Sequence, residues 1–505
     1  MGLKSYIIRQ FAHHIARQTQ KAADNAINDQ EAIFRQLIKK AKNTKFGRDH
    51  GLAEISDYAS FKNQVPVIGY EEMKLYIEAI IEGESDVLWP GRPKYFAKTS
   101  GTTSGVKYIP ITKESIPYHI NTARNAILNY IAQTGHSIFS GNMIFLSGSP
   151  ELELKAGIKT GRLSGIVNHE VPSWVKPNQI PDYKTNCIED WEEKLDKLVD
   201  ISLQSNMSLI SGIPPWVQMY YELLLKKSGK STVKELFPEF QLFIHGGVNY
   251  QPYKARLEAL AGSGVDTLET YPASEGFIAY QNDKNDHGLL LNTNAGMFFE
   301  FIPADKFFDE NPERLSLKDV KIETDYALVI SSNAGLWAYS LGDTVRFTQL
   351  NPYKLIVSGR IKHFISAFGE HVIAKEVEEA LQLVAADMGL QITEFTVAPQ
   401  VTPPEGGLPY HEWLIEFEKT PDQLDIIAHK IDEEIIRQNI YYRDLIEGRI
   451  LQTLKIKPLR KNSFVDYMKS LGKLGGQNKV PRLTNDRKIA DALIKISREN
   501  QTPSE

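Results

Sequence analysis

One stretch of the sequence reads Tyr95-Phe96-Ala97-Lys98-Thr99-Ser100-Gly101-Thr102-Thr103-Ser104-Gly105-Val106-Lys107-Tyr108-Ile109-Pro110 and places hydroxyl groups and glycines between two strand-like segments. Glycine allows backbone N–H groups to approach a polyphosphate closely, and hydroxyl groups add donors without bulk. The Walker A pattern does not fit, because three residues separate Gly101 from Gly105 and Lys107 comes one residue late. The stretch is typical either of a phosphate-binding loop or of a flexible turn between strands, and alone it leaves both interpretations open.

The composition limits the class of protein. A chain of 505 residues is long enough for more than one domain, with about three expected from length alone. The net charge of −5 and the lack of a long basic run disfavour a nucleic-acid partner. The single cysteine, Cys187, excludes an internal disulfide and fits a reducing cytosol. Because no apolar run approaches the roughly 18 residues that span a bilayer, we expect a cytoplasmic protein without a membrane span.

The hydrophobic spacing changes along the chain. Residues 1–94 carry apolar side chains at helical spacing, whereas residues 95–357 alternate short apolar strands with helices. Strands that alternate with helices favour an α/β fold. After Gly359-Arg360-Ile361-Lys362 the pattern becomes that of a small α+β domain, so we predict two domains, 1–357 and 358–505.

Five further motifs follow the loop. They are Phe243-Ile244-His245-Gly246-Gly247, Thr270-Tyr271-Pro272-Ala273-Ser274-Glu275, Met297-Phe298-Phe299-Glu300-Phe301-Ile302-Pro303, Ala338-Tyr339-Ser340-Leu341-Gly342-Asp343 and Asn478-Lys479-Val480-Pro481-Arg482. In this order they resemble the auxin-responsive plant family of acyl acid amido synthetases, the Gretchen Hagen type, and its bacterial relatives. The resemblance covers nearly the whole chain and places it in the adenylate-forming superfamily of acyl-CoA synthetases, peptide-synthetase adenylation domains and luciferases.

The resemblance implies a fold and a division of labour. It implies a large N-terminal domain of β-sheets flanked by helices, residues 1–357, which binds ATP and an acyl acid. Residues 358–505 then form a small, mobile α+β lid domain. Activating a carboxylic acid with ATP requires a held pyrophosphate, a divalent metal and a cation near the α-phosphate.

The resemblance also implies which residues handle the phosphates. The residues that wrap the β- and γ-phosphates are Ser100, Gly101, Thr102 and Thr103. Lys479, on a glycine-rich segment, is implied to swing to the α-phosphate, where a mobile point charge suits the task. We therefore predict Lys479 and Thr103 as catalytic residues. Lys473 is a competing candidate, and a solvated lysine is the alternative for Lys479.

The nucleotide and its metal are implied to lie at the remaining motifs. The residues assigned to nucleotide binding there are Gly246, Gly247, Tyr271, Ala273, Ser274, Asp343 and Arg360. Tyr271 and the two glycines line the adenine slot, Asp343 accepts hydrogen bonds from the ribose, and Arg360 touches the ribose or α-phosphate. Glu275 is assigned to Mg²⁺, which binds one or two protein oxygens together with phosphate.

Two of these assignments compete with simpler interpretations. Glu275 taken alone is typical of a surface carboxylate, and Gly342-Asp343 taken alone is typical of a hairpin turn. Plant members of the family usually carry Arg where Ser340 stands, which removes a cationic contact at this position. The two pocket histidines, His119 and His245, are more typical of structural residues.

The acyl pocket is weakly specified. By the superfamily's geometry its walls come from the helix after the loop, from Leu146-Ser147-Gly148 and from residues around Phe277. Apolar walls with few polar anchors give little information about the acid.

We predict ATP-dependent adenylation of a small carboxylic acid, which forms acyl-AMP and pyrophosphate, followed by acyl transfer to an amino acid amine. An acyl-CoA ligase that forms a thioester is the main competing prediction, because the segment from Gly359 to Glu378 resembles the hinge of CoA ligases. An ATP-cleaving enzyme that makes ADP, and a catalytically decayed nucleotide- or acyl-binding regulator, are also compatible with the sequence.

Overall fold

A computed structural model describes residues 3–100, 106–172, 176–188, 190–247, 250–361, 364–365, 368, 370, 372–448, 451–473, 480–484 and 486–499. The chain forms two compact units, Met1–Val357 and Ser358–Glu505. The functional roles predicted for these two parts, substrate binding and a mobile lid, stay predictions.

The first unit combines helices and strands. Its helices are α1 (Leu3–Asp24), α2 (Ala26–Ala41), α3 (Lys45–Asp49), α4 (Tyr58–Gln64), α5 (Tyr70–Ile81), α6 (Ile116–Thr134), α7 (Leu163–Glu170), α8 (Tyr183–Asn186), α9 (Trp191–Leu203), α10 (Pro214–Ser228), α11 (Val233–Leu236) and α12 (Gln251–Ala261). Its strands are β1 (Tyr95–Ser100), β2 (Val106–Ile111), β3 (Asn142–Phe145), β4 (Glu153–Lys155), β5 (Ile158–Gly161), β6 (Gln179–Ile180), β7 (Met207–Ser211), β8 (Leu242–Gly246), β9 (Asp266–Pro272), β10 (Phe277–Gln281), β11 (Leu289–Leu291), β12 (Met297–Pro303), β13 (Leu315–Ser316), β14 (Asp325–Ser332), β15 (Tyr339–Leu350) and β16 (Tyr353–Arg360). Helices α1–α5 confirm the helical prediction for residues 1–94.

Two sheets organise the first unit. The larger has the strand order β13-β12-β14-β15-β16-β11-β10-β9-β8-β7-β3-β6, and the smaller has the order β2-β1-β5-β4. Within the larger sheet, β6, β3, β7, β8 and β9 run parallel. The carboxyl ends of these strands therefore share one edge, which is where open α/β sheets bind ligands.

Helices cover the parallel strands on both faces. Side chains of α1 and α6, including Ala12 and Tyr130, form an apolar cluster with Leu209, Leu242 and Leu268. On the other face, the ring of Tyr250 just before α12 stacks on His245 of β8, with ring centroids 4.1 Å apart. The predicted α/β layering is confirmed.

A buried ion pair ties the N-terminal helices to the sheet. Glu300 of β12 is 0% exposed and its carboxylate lies 2.7 Å from the guanidinium of Arg314. Tyr58 of α4 donates a hydrogen bond to Glu300, and Arg314 donates to the carbonyl of Val65. The Glu300 motif therefore has a structural role in holding α4 to β12.

The second unit is a smaller α+β body. Its elements are β17 (Phe364–Ile365), β18 (Val372–Ile373), α13 (Ala374–Met388), β19 (Ile392–Gln400), β20 (Tyr410–Phe417), α14 (Leu424–Gln438), α15 (Ile440–Glu447), β21 (Lys455–Leu459), α16 (Ser463–Ser470) and α17 (Lys488–Glu499). Helices α13 and α14 pack on one face of the sheet β19-β20-β21, whereas α16 and α17 pack on the other. The α+β pattern predicted beyond residue 358 is confirmed. Nowhere in the described parts of the chain is a helix long and apolar enough to cross a membrane.

Candidate active site

The Gly246-Gly247 pair lies at the carboxyl end of β8, where the backbone of β9 comes very close. A Cβ atom on Gly246 would overlap the carbonyl oxygen of Thr270. The Thr270 hydroxyl donates a hydrogen bond to the carbonyl of His245 at 3.0 Å, which locks the two strand ends together. Gly247 has a φ of +75°, a conformation that favours glycine. The backbone geometry therefore favours glycine at both positions. The contact of these glycines with adenine stays a prediction.

Tyr271 and Asp343 meet in the structure although β16, β11 and β10 lie between their strands in the sheet order. The hydroxyl of Tyr271 donates a hydrogen bond to Asp343 Oδ2 at 2.6 Å. Strands in a flat sheet are about 4.8 Å apart, so this bond requires that the sheet curve strongly between β9 and β15. The two residues predicted to bind adenine and ribose are thus brought together by the fold.

Asp343 owes its position to a bulge in β15. Thr344 pairs with Ala327 and Ser340 pairs with Val329, so β15 carries extra residues between these two pairs. Gly342 lies in the extra segment with a φ of +78°. A bulge re-aims side chains that a regular ladder would leave in register. The interpretation of Gly342-Asp343 as a hairpin turn is wrong, because both residues lie inside a strand.

Glu275 lies in a tight turn between β9 and β10. The backbone N–H groups of Ala273 and Gly276 each donate to the other's carbonyl, at 2.9 and 3.2 Å. Ala273 and Ser274 thus belong to the backbone of the turn, which presents the half-buried Glu275 carboxylate next to the strand of Tyr271. One carboxylate on a fixed turn fits Mg²⁺ bound mainly by phosphate and water. Nowhere in the described parts of the chain do three or more His, Cys, Asp or Glu side chains form a metal site by themselves.

The two pocket histidines are buried and neutral. Burial lowers the pKa of His119 on α6 to about 4 and the pKa of His245 on β8 to about 3. Both imidazoles are therefore expected to be uncharged at neutral pH. Their structural interpretation fits this burial.

Glu269 was not predicted as a site residue. It lies two residues before Tyr271 on the same face of β9 and is paired in register with His245. Burial raises the pKa of its carboxyl to about 7. A half-neutral carboxyl at this edge is a feature of functional sites. The sequence did contain a signal for Glu269, which is a charged residue inside a segment that otherwise has the pattern of a strand.

Several predicted residues lie outside the described part of the chain. They are Gly101, Thr102, Thr103 and Lys479, together with the side chain of Ser100. The flanking strands β1 and β2 are described, and Ser100 pairs with Val106 in antiparallel register. Arg360 is the exposed last residue of β16, and Lys473 is exposed just after α16. The roles of all these residues stay predictions.

The predicted walls of the acyl pocket are only partly polar. Phe277 belongs to the apolar cluster between α6 and the sheet. Asn292 donates hydrogen bonds to the Thr122 hydroxyl at 2.8 Å and to the Phe277 carbonyl at 3.2 Å. The acyl-binding role of these walls stays a prediction.

An open cavity of about 480 Å³ lies elsewhere in the first unit. It is lined by Gln20, Gln133, Asn282, Asp283, Lys284, Asn285, Pro352 and Lys354. Because β10 is antiparallel to β9, the turn after β10 lies at the opposite edge of the sheet from Glu275. This cavity is therefore not the predicted nucleotide site.

Solved structures share this fold. The GH3.15 acyl acid amido synthetase matches with a TM-score of 0.81 and 18% identity, over 95% of this chain and 95% of that one. A 2-hydroxyisobutyryl-CoA ligase in the postadenylation state matches with a TM-score of 0.55 and 12% identity, over 96% and 91% of the two chains. The fold of this chain is therefore the one that these ligases share.

Sequence comparison narrows this class to a family. Models of the GH3 family N-terminal, central and C-terminal domains match residues 15–195, 290–360 and 374–488. The jasmonoyl-L-amino acid synthetase JAR4 of Nicotiana attenuata is 22% identical over 90% of each chain. The indole-3-acetic acid-amido synthetase GH3.4 of Arabidopsis thaliana is 22% identical over 92% of this chain and 91% of its own.

The chain belongs to the GH3 family. A further relative, the 4-substituted benzoates-glutamate ligase GH3.12 of Arabidopsis thaliana, is 21% identical over 94% of this chain and 96% of its own. The resemblance found in the sequence motifs is therefore confirmed, as is the prediction of an acyl-adenylate-forming ligase.

Proposed function

We propose that the protein uses ATP to adenylate a small carboxylic acid and then transfers the acyl group to the amine of an amino acid. In the first step a carboxylate oxygen attacks the α-phosphorus, and the bond to pyrophosphate breaks. In the second step the amine attacks the acyl carbon, the bond to AMP breaks and the amine loses a proton to solvent. The hydrogen bond between Tyr271 and Asp343 carries this proposal, because it unites the proposed adenine and ribose contacts at one sheet edge.

Each group of this chain has one task in the proposal. Asp343 accepts hydrogen bonds from the ribose hydroxyls, and Tyr271 offers its ring to adenine while fixing the Asp343 carboxylate. Glu275 would hold Mg²⁺, which supplies neutralising charge for the phosphates when bound. The hydroxyl-rich loop from Ser100 to Thr103 holds the leaving pyrophosphate. Lys479 stabilises charge at the α-phosphate, and Arg360 contacts the ribose or α-phosphate.

The amide product is favoured over a thioester by the relatives. The names of JAR4, GH3.4 and GH3.12 describe enzymes that join an acid to an amino acid. The likeness to the CoA ligase supports only the fold, because the identity is 12%. We further propose a cytoplasmic location, which fractionation of the source cells would test.

The first experiment is a pyrophosphate-exchange screen over aryl, indolyl and fatty acids, with Mg²⁺ present and then removed by EDTA. Acids that support exchange are next incubated with amino acids or with CoA, and the products are identified by mass spectrometry. We expect an amide and Mg²⁺-dependent exchange. A thioester would contradict the acceptor, and ADP in place of AMP would contradict adenylation altogether.

The second experiment assigns the lysine. We expect Lys479→Ala to abolish exchange with the best acid, whereas Lys473→Ala keeps it. The reverse result would move the catalytic assignment to Lys473.

A further inference from the structure

Two cationic side chains that pair with no described carboxylate lie beside the loop that follows β3. The side chain of Arg162, just before α7, crosses Gly148 so closely that a Cβ atom there would lie 2.9 Å from Arg162 Cδ. Lys194 of α9 is 4% exposed, and its ammonium group donates to the carbonyls of Ser147 and Asn186 at 2.9 and 2.7 Å. Within the described residues, the Arg162 guanidinium makes neither a hydrogen bond nor an ion pair.

Among the described residues, neither Arg162 nor Lys194 is paired with a carboxylate. Burial lowers the pKa of Arg162, and burial together with the nearby Arg162 charge lowers the pKa of Lys194 to about 8. Both groups nevertheless stay mainly protonated at neutral pH. Like charges that have lost part of their hydration repel each other, so an anion next to Arg162 would lower the electrostatic cost of this arrangement.

Two described carboxylates near the cluster in sequence, those of Glu151 and Glu170, have other partners. Glu151, on the same loop, is exposed and accepts a hydrogen bond from Ser149 at 3.5 Å. Glu170, at the other end of α7, accepts hydrogen bonds from Lys94 and Tyr95 at 2.5 Å. Neither carboxylate neutralises Arg162 within the described structure.

A third polar group in the cluster is unsatisfied. Asn186 is 1% exposed, and its side-chain nitrogen lies 3.4 Å from the Ser147 hydroxyl, whereas its side-chain oxygen has no hydrogen-bond partner in the described structure. Buried polar atoms without partners are uncommon in native proteins. An N–H or O–H donor would satisfy this oxygen, and an ionised carboxylate would not, so Asn186 marks the cluster as polar without selecting an anion.

The cluster lies at the same edge of the sheet as the proposed nucleotide site. Strand β3 is separated from β8 only by β7, which puts their carboxyl ends about 10 Å apart. The carboxylate that is adenylated must lie at the α-phosphorus, so it cannot also occupy the Arg162 cluster. An amino acid acceptor brings a second carboxylate, and its amine must reach the acyl carbon from the side.

We propose that Arg162 binds the carboxylate of the acceptor amino acid, at a site formed by residues 147–149 and the start of α7. Lys194 is a positioning residue, because its hydrogen bonds to two carbonyls hold the loop against α8 and α9. This inference rests on the proposed function, and specifically on an amine acceptor. It extends that function by assigning recognition of the acceptor to the chain's own residues.

The test compares an amino acid with its primary carboxamide. The best acceptor among the twenty amino acids is assayed with wild-type enzyme, and we expect its carboxamide to be used at least about tenfold less efficiently, because it cannot form a charge-assisted pair. In Arg162→Gln we expect the KM for the amino acid to rise by about tenfold or more and the preference over the carboxamide to disappear. Arg162 borders Gly148 of the predicted acyl wall, but the proposal gives it no contact with the adenylated carboxylate, so pyrophosphate exchange with the acyl acid should stay within about twofold and a larger loss would assign Arg162 to the acyl pocket instead.

Two variants serve as controls. Arg162→Lys keeps one charge but not the bidentate geometry, so it should restore part of the preference. Arg35→Gln removes an equal charge from an exposed i,i+4 pair on α2 and should leave every value unchanged.

The possible outcomes separate the two proposals. A wild-type enzyme that uses the carboxamide equally well, or an Arg162→Gln variant that keeps the preference, overturns this inference alone. Exchange without amide formation from any amino acid overturns the amine acceptor and this inference together. The wild-type comparison needs no variant, so the inference stays testable even if Arg162→Gln fails to fold.

Discussion

Removing one hydroxyl group tests the proposed nucleotide site most directly. In Tyr271→Phe the ring proposed to contact adenine remains, but Asp343 loses the donor that lies 2.6 Å from its Oδ2. A hydrogen bond to a charged group contributes about 1.5–3 kcal/mol, which corresponds to roughly 10- to 150-fold in affinity. Asp343 is only half-buried, so water replaces part of the lost interaction. We therefore expect the KM for ATP to rise by about tenfold, at the lower end of this range.

The assay is pyrophosphate exchange at saturating acyl acid and varied ATP. If Tyr271 acts by fixing Asp343, kcat should change little while the KM for ATP rises. Tyr76→Phe is the matched control, because the Tyr76 hydroxyl donates to Asp49 at 3.0 Å in the same type of pair on exposed helices. An unchanged KM in Tyr271→Phe, or an equal change in both variants, would refute the proposal that this pair holds the nucleotide.

Three further changes have defined outcomes. Gly246→Ala places a Cβ atom on a carbonyl of the neighbouring strand, so exchange activity and the thermal midpoint should both fall. Glu300→Gln leaves Arg314 buried without its counterion, and urea denaturation should show a loss of about 3–5 kcal/mol, whereas a change below about 1 kcal/mol would contradict the pairing. Burial acts to raise the pKa of Glu370, but the hydrogen bond with His411 outweighs it and the pKa is lowered. The stability that this pair provides is therefore present above pH 4.5 and lost as the pH falls through the lower folded-state pKa, so His411→Gln should flatten the acid limb of the unfolding curve.

The fold could be predicted because the sequence repeats local signals that agree with one another. Short apolar strands alternate with helices up to β16, and the pattern changes where the second unit begins. The Gly246-Gly247 pair could also be identified, since a backbone contact that only glycine allows leaves a visible mark in the sequence. Such signals depend on neighbours along the chain or on one adjacent strand.

Other features depend on distant parts of the fold and left no such mark. The bond between Tyr271 and Asp343 exists only because the sheet curves between β9 and β15. Arg162 looks like any surface cation in the sequence, and only the structure shows that it crosses Gly148 and has no acidic partner among the described residues. The burial of Lys194, in contrast, could have been predicted from the sequence, because Lys194 lies at helical spacing from Trp191 and Leu198 on the buried face of α9.

If the two proposed clusters have the roles assigned to them, one sheet edge serves both half-reactions. The Tyr271–Asp343 pair lies at β9 and β15, whereas Arg162 and Lys194 lie beside β3, with β7 and β8 between. A nucleotide held by the first cluster and a carboxylate held by the second would approach the acyl carbon from different sides, so neither needs to leave before the other binds. Variants of the first cluster should therefore slow exchange and amide formation alike, and variants of the second should slow amide formation alone. An Arg162 variant that lowered both rates equally would show that the two clusters act on the same step.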